Sequence, residues 1–317
     1  MKHFQQSQKA KKLLSSVLSF CMIVGFSSCQ TKKESGVDRG AEPVAFAVST
    51  FMPYADPNYE GILQEAVEAG FTHCDFQICD LWDQPELESQ YYENLEQYLD
   101  KFKATGMYLN SIHISFGENW DPSTLDETKR TEIVDKIIKV IDRIDKYDPY
   151  GYNIHGSFEP VTTFDFFRAD RINCVVKSFQ EICDSTVNYV CIENLPRTCL
   201  GNTAAEMLDI AERVDRENMG VCFDTNHFLQ EDPADAVLVL GKYIKMLHVS
   251  DYDGVDERHW MPMSNEECII DWARLIYNLK QVGYKGTFGY EANRVPSQIM
   301  ENYRLLMALD YEPTIIP

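Results

Sequence analysis

The sequence predicts an α/β fold, a single-domain (β/α)8 TIM barrel. Three observations carry this. Short apolar runs alternate with helical patterns eight times. The alternation fills about 270 residues, the size of one such barrel, and no Pro-rich or Gly/Ser-rich linker divides it. In the second half of the chain each apolar run closes on a polar side chain capable of chemistry, where the mouth of a barrel would lie. A doubly wound sheet is the alternative, but it would want a Gly-rich phosphate loop after the first strand, and VAFAVSTFMPY holds no glycine.

The elements follow in order. Apolar runs at 44–50, 72–79, 108–115, 150–158, 189–195, 220–228, 244–250 and 286–291 read as short buried strands. Between them, Asn58 to Ala69 is a short amphipathic helix stopped by Gly70, and Glu93 to Thr105 is stopped by Gly106. Asp126 to Tyr147 is long, with Ile133, Ile137, Ile138, Ile141 and Ile144 on one face. Helices over Phe164 to Asn188, Thr203 to Val214, Ala234 to Tyr243, Asp271 to Val282 and Pro296 to Leu309 complete the series. An apolar content of 44% is enough for a full core.

The amino terminus reads as a targeting segment. Lys2, Lys9, Lys11 and Lys12 form a basic region, and Leu13 to Phe26 an apolar one too short for a comfortable membrane span. It ends in Phe26-Ser27-Ser28-Cys29, which resembles a bacterial lipobox with Phe where Leu is usual. The organisation expected is a signal over residues 1–28, a tether over 29–43 and the barrel over 44–317. The product would be exported and anchored to the bacterial membrane by lipid at Cys29, on the periplasmic side or at the cell surface. A plain secretory signal with a chance cysteine is the alternative.

The formal charge of the chain is −21, and loss of the four signal lysines leaves 25 basic against 50 acidic residues, a net −25. Such a surface repels nucleic acid phosphates, so no nucleic acid partner is expected. It also disfavours anionic membrane surfaces, leaving the lipid as the only membrane contact. The sequence leaves a homo-oligomer open. Eight of the ten cysteines lie beyond Cys29 and form no CxxC. Cys191 and Cys222 should both point into the barrel; a disulfide there cannot be deduced from sequence, and buried free thiols are expected.

The constellation is Glu193 in YVCIENLP, Asp224 in GVCFDTNHF, His248 in IKMLHVSD and Glu291 in GTFGYEANR. Side chains alternate along a strand, and the last inward residue of a barrel strand faces the active-site mouth. Three carboxylates and an imidazole at one depth can converge on one divalent cation. Oxygen-rich ligation with one His suits Mn²⁺ first, with Mg²⁺, Co²⁺ or Zn²⁺ as alternatives. His113, His155, His227 and His259 map to the same mouth. Trp82, Trp120 and Trp260 fall in expected loops, where a ring could stack on a sugar or simply pack on the rim; Trp272 reads as structural.

On the motifs IEN (192–194), FDTNH (223–227), HVSDYDG (248–254), H-x-x-P at His259 and Pro262, and GYE (289–291), the chain resembles the sugar phosphate isomerase/epimerase group of xylose isomerase-like TIM barrels. That group is related to tagatose/psicose 3-epimerases, inosose dehydratases and apurinic endonucleases, and the likeness covers roughly residues 44 to 312. The resemblance implies that Glu193, Asp224, His248 and Glu291 bind the metal, that Glu193 and Glu291 are also catalytic as acid and base, and that His227 contacts the substrate. His113, His155, His259, Trp260 and Arg258 are further substrate-binding candidates. Two positions depart from the group: Glu257 stands where Asp is frequent, and Met263-Ser264-Asn265-Glu266 replaces a glycine-rich stretch.

The activity expected is a divalent-metal-dependent sugar isomerase or epimerase. One glutamate removes the proton next to a chelated carbonyl, giving an enediolate, and the other returns it. Loss of a β-substituent would make the same site a lyase or dehydratase. Export, the lack of a Gly-rich anion loop and an acidic pocket favour an unphosphorylated sugar or keto-glycoside as the small-molecule substrate; Arg197, Arg258 and Arg294 are the only cations nearby. Two further readings are a multinuclear zinc phosphodiesterase of the endonuclease type and a sugar-binding lipoprotein without catalysis.

Overall fold

The structure, a computed structural model, describes residues 44–49, 58–78, 88–159, 166–292 and 295–313, with backbone alone for 44–49 and 88–91. The expected signal and tether, with Cys29, and also Cys79, Trp82 and Arg294, lie outside the described residues.

Eight parallel strands close into a barrel in chain order. They are β1 (Val44–Ser49), β2 (His73–Gln77), β3 (Tyr108–His113), β4 (Gly151–His155), β5 (Tyr189–Glu193), β6 (Met219–Asp224), β7 (Ile244–Val249) and β8 (Phe288–Tyr290). Between and after them run α1 (Tyr59–Ala69), α2 (Glu88–Ala104), α3 (Glu127–Ile144), α4 (Arg168–Ser185), α5 (Ala204–Val214), α6 (Pro233–Leu240), α7 (Trp272–Gln281) and α8 (Pro296–Met307). Pairing of β8 with β1 closes the ring.

The strands are shorter than the apolar runs that predict them. The run at 220–228 leaves the sheet after Asp224, because Asn226 N–H turns back onto Asp224 Oδ1 (2.7 Å). The surplus apolar residues, Leu195 and Phe228 among them, pack as buried loop residues over the barrel end. The helix expected over 234–243 stops at Leu240, and Gly241 (φ 49) starts a 3-10 turn that leads into β7. Side-chain caps fix four helix starts: Asp126 for α3, Thr203 for α5, Asp232 for α6 with Pro233 after it, and Asp271 for α7.

Strand alternation builds two cores. Outward residues such as Ile192, Val221, Phe223, Leu247 and Val249 pack against the helices. Inward residues Cys191, Cys222 and Met246 form a separate plug, closed by Tyr150 and Tyr189. Cys191 and Cys222 are fully buried free thiols. Toward the mouth, Asp75 on β2 accepts hydrogen bonds from Asn110 Nδ2 (2.6 Å) and Ser111 Oγ (2.5 Å), and burial raises its pKa above the usual carboxylate value. Gly289 leaves it room: a Cβ there would stand 2.3 Å from Asp75 Oδ2 and 2.6 Å from Leu247 O.

Two outcomes follow. Gly289→Ala should cost about 1–3 kcal/mol in urea unfolding, since backbone and a buried carboxyl must both move; an unchanged midpoint would mean the interior has room. His73, buried at the start of β2, has its pKa lowered to about 4 by burial. The unfolded chain takes up this proton near pH 6.5, before the native state does. Stability from His73 is therefore full above about pH 6.5 and declines by up to about 3 kcal/mol as pH falls toward 4. His73→Gln should flatten that part of the stability–pH curve.

Candidate metal centre and active site

Glu193 and Asp224 are the last residues of β5 and β6, and His248 is next to last in β7. Glu291 lies one residue beyond β8, its N–H bonded to Val249 O (3.2 Å). Their side chains meet: one ligand atom from each falls within 4.8 Å of the others. His248 Nδ1 stands 3.1 Å from Glu193 Oε1, 2.9 Å from Glu291 Oε2 and 3.9 Å from Asp224 Oδ2. Separations of about 3 Å are those of ligands on bonds of about 2.1 Å meeting at right angles. Among the described residues, buried Asp224 Oδ2 accepts no hydrogen bond, and Glu291 Oε2 faces only the His248 imidazole at 2.9 Å. Two carboxylate oxygens turned on a shared centre in this way fit a divalent cation.

The motif residues between the ligands hold them in place. Asn194 bridges the ends of β5 and β6: its Oδ1 accepts from Asp224 N–H (2.7 Å) and its Nδ2 donates to Asp224 O (2.9 Å). Thr225 Oγ1 donates to Ser250 O (2.6 Å), tying β6 to β7. Asp251 organises the loop after β7 by accepting from Trp272 Nε1 (2.7 Å), the structural role expected of that tryptophan.

Three more imidazoles surround the cluster. His113 Nδ1 donates to Ile114 O (2.7 Å), so its Nε2 faces Glu193 Oε2 (3.2 Å). His155 Nε2 lies 3.3 Å from the same oxygen. His227 Nδ1 donates to Asn194 O (2.9 Å), so its Nε2 faces Glu257 Oε2 (3.3 Å). With Nδ1 carrying the proton, a neutral ring has only a lone pair at Nε2; facing a carboxylate, it needs a second proton or a cation between them. His113, His155 and Glu193 form one further metal-competent group, and His227, Glu257 and His259 another.

Electrostatics follow from this crowding. Burial opposes charge on Glu193 and Glu291, but the His248 charge and hydrogen bond, joined at Glu193 by hydrogen bonds from His113 and His155, together outweigh it and hold both carboxyls well below their usual range. Burial pushes Asp224 up to about 6. Burial opposes protonation of His227 and His248, and the surrounding carboxylates overcome it, taking His227 to about 10 and His248 well above its ordinary value. His155 is lowered by burial.

Above the cluster opens a cavity of about 300 Å³ whose walls include His113, His155, Glu193, His227, His259 and Glu291. Arg258 and Trp260, expected at the substrate, are not among its walls. Arg258 is held by Asp253 (2.7 Å) instead, and Trp260 is fixed by a two-way backbone bridge to Asp251. Trp120 is buried under Lys136, 4.0 Å above its ring, and packs as a loop residue. The aromatic walls are Phe116 and Phe158. Sequence reasoning also missed Gln77, whose Nε2 donates to Glu291 Oε1 (2.9 Å), and Asn153, whose Nδ2 donates to Glu193 Oε2 (2.5 Å). Both are inward polar residues near strand ends, and the alternation rule would have found them; nothing local marks the two phenylalanines.

Among the described residues Arg197 is the guanidinium of the cavity wall, and it is paired with three carboxylates. Glu159 takes its Nε (2.7 Å) and Nη2 (3.1 Å), while Asp256 (2.8 Å) and Glu257 (2.9 Å) share Nη1. The clamp joins the loops after β4, β5 and β7. Its backbone adopts φ 54, and His259 φ 48, conformations a non-glycine residue holds only under surrounding constraint.

The sequence profile of the xylose isomerase-like TIM barrel matches residues 63–309. The chain belongs to this family. Among solved structures it is similar to a D-tagatose 3-epimerase-like protein (20% identity, TM-score 0.63, covering 83% of this chain and 97% of that one). It is similar also to the D-psicose 3-epimerase of Clostridium cellulolyticum H10 (18%, TM-score 0.62, 83% and 91%) and a 3-keto-D-glucoside 4-epimerase of E. coli (17%, TM-score 0.65, 84% and 99%). At such identities these likenesses show the fold. No curated protein matches the chain.

Cation binding should be proton-coupled. His248 must be neutral to ligate, yet its pKa is raised, so a bound cation displaces its proton and affinity falls about tenfold per pH unit on acidification. Below about pH 6 Asp224 protonates as well, and the slope steepens. Calorimetric titration with Mn²⁺ between pH 5 and 8, in buffers of different ionisation heat, measures this; affinity independent of pH would exclude His248 as a ligand.

Proposed function

We propose that this protein is a divalent-metal-dependent sugar isomerase or epimerase acting on an unphosphorylated sugar or keto-glycoside. The observation that carries the reading is the pair of carboxylates, Glu193 buried and Glu291 partly buried, both held ionised beside His248 and three strands apart around the ring. Family membership and the epimerase relatives support it.

Glu193, Asp224, His248 and Glu291 would hold the cation, with Mn²⁺ favoured by three carboxylates and one imidazole over Mg²⁺, Co²⁺ or Zn²⁺. When bound, such an ion supplies Lewis-acid polarisation of a carbonyl oxygen, which stabilises the charge developed as the neighbouring C–H loses its proton. Glu193 and Glu291, both ionised at neutral pH, are competent general bases on two sides of a sugar lying in the cavity. One takes the proton and the other returns it. Return to the opposite face of the same carbon is epimerisation, and return to the adjacent carbon is isomerisation. Gln77 and Asn153 keep one oxygen of each glutamate hydrogen-bonded, so that its partner oxygen faces the centre. Arg197 is paired with three carboxylates, which leaves no free guanidinium for a phosphate among the described lining residues and supports a neutral substrate. Expulsion of a β-substituent by the same first step would make the reaction an elimination.

A second reading has its own support. The two extra groups, His113–His155–Glu193 and His227–Glu257–His259, share or adjoin the cluster and suit a multinuclear zinc phosphodiesterase. The net charge of −21 weighs against a nucleic acid substrate.

Incubation with keto-sugars and keto-glycosides in D₂O and Mn²⁺ should place deuterium at the carbon beside the carbonyl. Glu193→Gln and Glu291→Gln should each reduce exchange by about 10²-fold or more while the barrel stays folded. Exchange unchanged in both would remove their acid/base roles. Metal analysis should give one ion per chain; two or three, with phosphodiester cleavage, would favour the second reading. We also propose lipid anchoring at Cys29, for which Cys29→Ser should release the protein from membranes and abolish labelling by palmitate.

A further inference from the structure

We infer that the site is built for a glycoside, with the ring beyond the glycosidic bond lying on Phe116 and Phe158. The inference rests on the sugar-processing reading above and names the substrate class of that same site.

The cavity has two unlike ends. Its inner end is polar: Glu193, Glu291, Gln77 and His227 offer carboxylates, an amide and an imidazole. The loops after β3, β4 and β5 add Phe116, Phe158, Leu195 and Pro196 to its lining, with Ser157, Glu159 and Arg197 among them. Phe116 remains 45% exposed and Phe158 41% exposed. A single exposed phenylalanine is ordinary, but two lining one cavity beside a buried acid/base cluster form a platform. The Phe116 ring is fixed in place. It stacks on His155 (centroids 4.5 Å apart, planes 20°) and meets His113 edge-on at 5.8 Å. His155 in turn reaches Glu193 Oε2 at 3.3 Å.

The apolar wall therefore begins one imidazole away from the carboxylate that would move the proton. A sugar reacting between Glu193 and Glu291 has its hydroxyls matched by the polar end. What projects past His155 meets the two phenylalanine rings, with Ser157 and the Arg197–Glu159 ion pair beside them. A second ring presenting a flat face, through either C–H groups or a π-system, suits those rings and leaves its edge hydroxyls to the polar groups between them. A neutral occupant is favoured, because Arg197, the one guanidinium among the described lining residues, is already paired with Glu159, Asp256 and Glu257. A cavity of about 300 Å³ is at the lower bound of small-molecule sites, with room for rings at its open end.

The test separates binding from chemistry. Phenyl, glucosyl and methyl glycosides lacking the keto group are titrated by ligand-observed NMR against the Mn²⁺-loaded full chain. The wild type should prefer the phenyl or the glucosyl glycoside over the methyl glycoside by about tenfold in Kd. Phe116→Ala and Phe158→Ala should each shrink that preference ratio severalfold, and Phe116→Tyr, which keeps the flat face, should restore it. The phenyl and glucosyl arms distinguish an aromatic aglycone from a second sugar. Equal Kd for all three glycosides, or a ratio untouched in both alanine variants, would overturn the inference whatever the enzyme's activity. Absence of deuterium exchange with every keto-sugar would instead overturn the isomerase/epimerase reading, and the binding ratio reports independently of it.

Discussion

The rest of the site depends on one electrostatic constraint: three carboxylates and an imidazole are packed within 4.8 Å of one another at the rim of a barrel. Two like charges 4 Å apart repel by about 4 kcal/mol at an effective dielectric constant of about 20, and burial removes most of the water that would screen them. Such a cluster persists only if positive charge is supplied at its centre and the backbone forbids the groups from separating. In the protein alone that charge is a proton on His248. The same geometry, with Asp224 Oδ2 and Glu291 Oε2 turned toward the shared centre, accommodates a divalent cation in place of that proton.

The backbone meets the second requirement through the barrel itself. Parallel pairing sets His155 beside Glu193 and Asp224 beside His248 in register. Beyond the last ladder bonds, side chains take over: Asn194 spans β5 and β6, and Thr225 spans β6 and β7. These polar residues of the motifs contact no substrate in order to be needed. They make the strand ends rigid enough that the carboxylates cannot relax into solvent. Below them, the plug of Cys191, Cys222 and Met246 and the Asp75–Gly289 contact fill the interior, so the ligands cannot sink into it either.

The wall above the cluster is built differently. The Arg197 clamp binds three loops by ion pairs, and left-handed backbone at Arg197 and His259 shows local strain held by those contacts. Pairing Arg197, the one guanidinium among the described lining residues, while leaving two phenylalanine faces exposed sets an acidic, cation-ready floor beside a wall of aromatic faces and ion-paired polar groups.

The sequence by itself determined the barrel and the four rim residues. A two-residue alternation ending in Glu, Asp, His and Glu on strands of equal role allows one placement, because a strand side chain has only two faces to choose from. The same rule, applied to Gln77 and Asn153, would have found their places beside the glutamates. What only the tertiary structure decided lies in the loops. Whether Arg258 or Arg197 reaches the cavity, and whether a tryptophan or a phenylalanine lines it, depends on contacts between loops about 40 to 60 residues apart, such as Glu159–Arg197 and Arg197–Glu257. Loop backbone has no period to constrain it, so its side chains settle where long-range pairing and packing leave room, and that information is not local to any stretch of the chain.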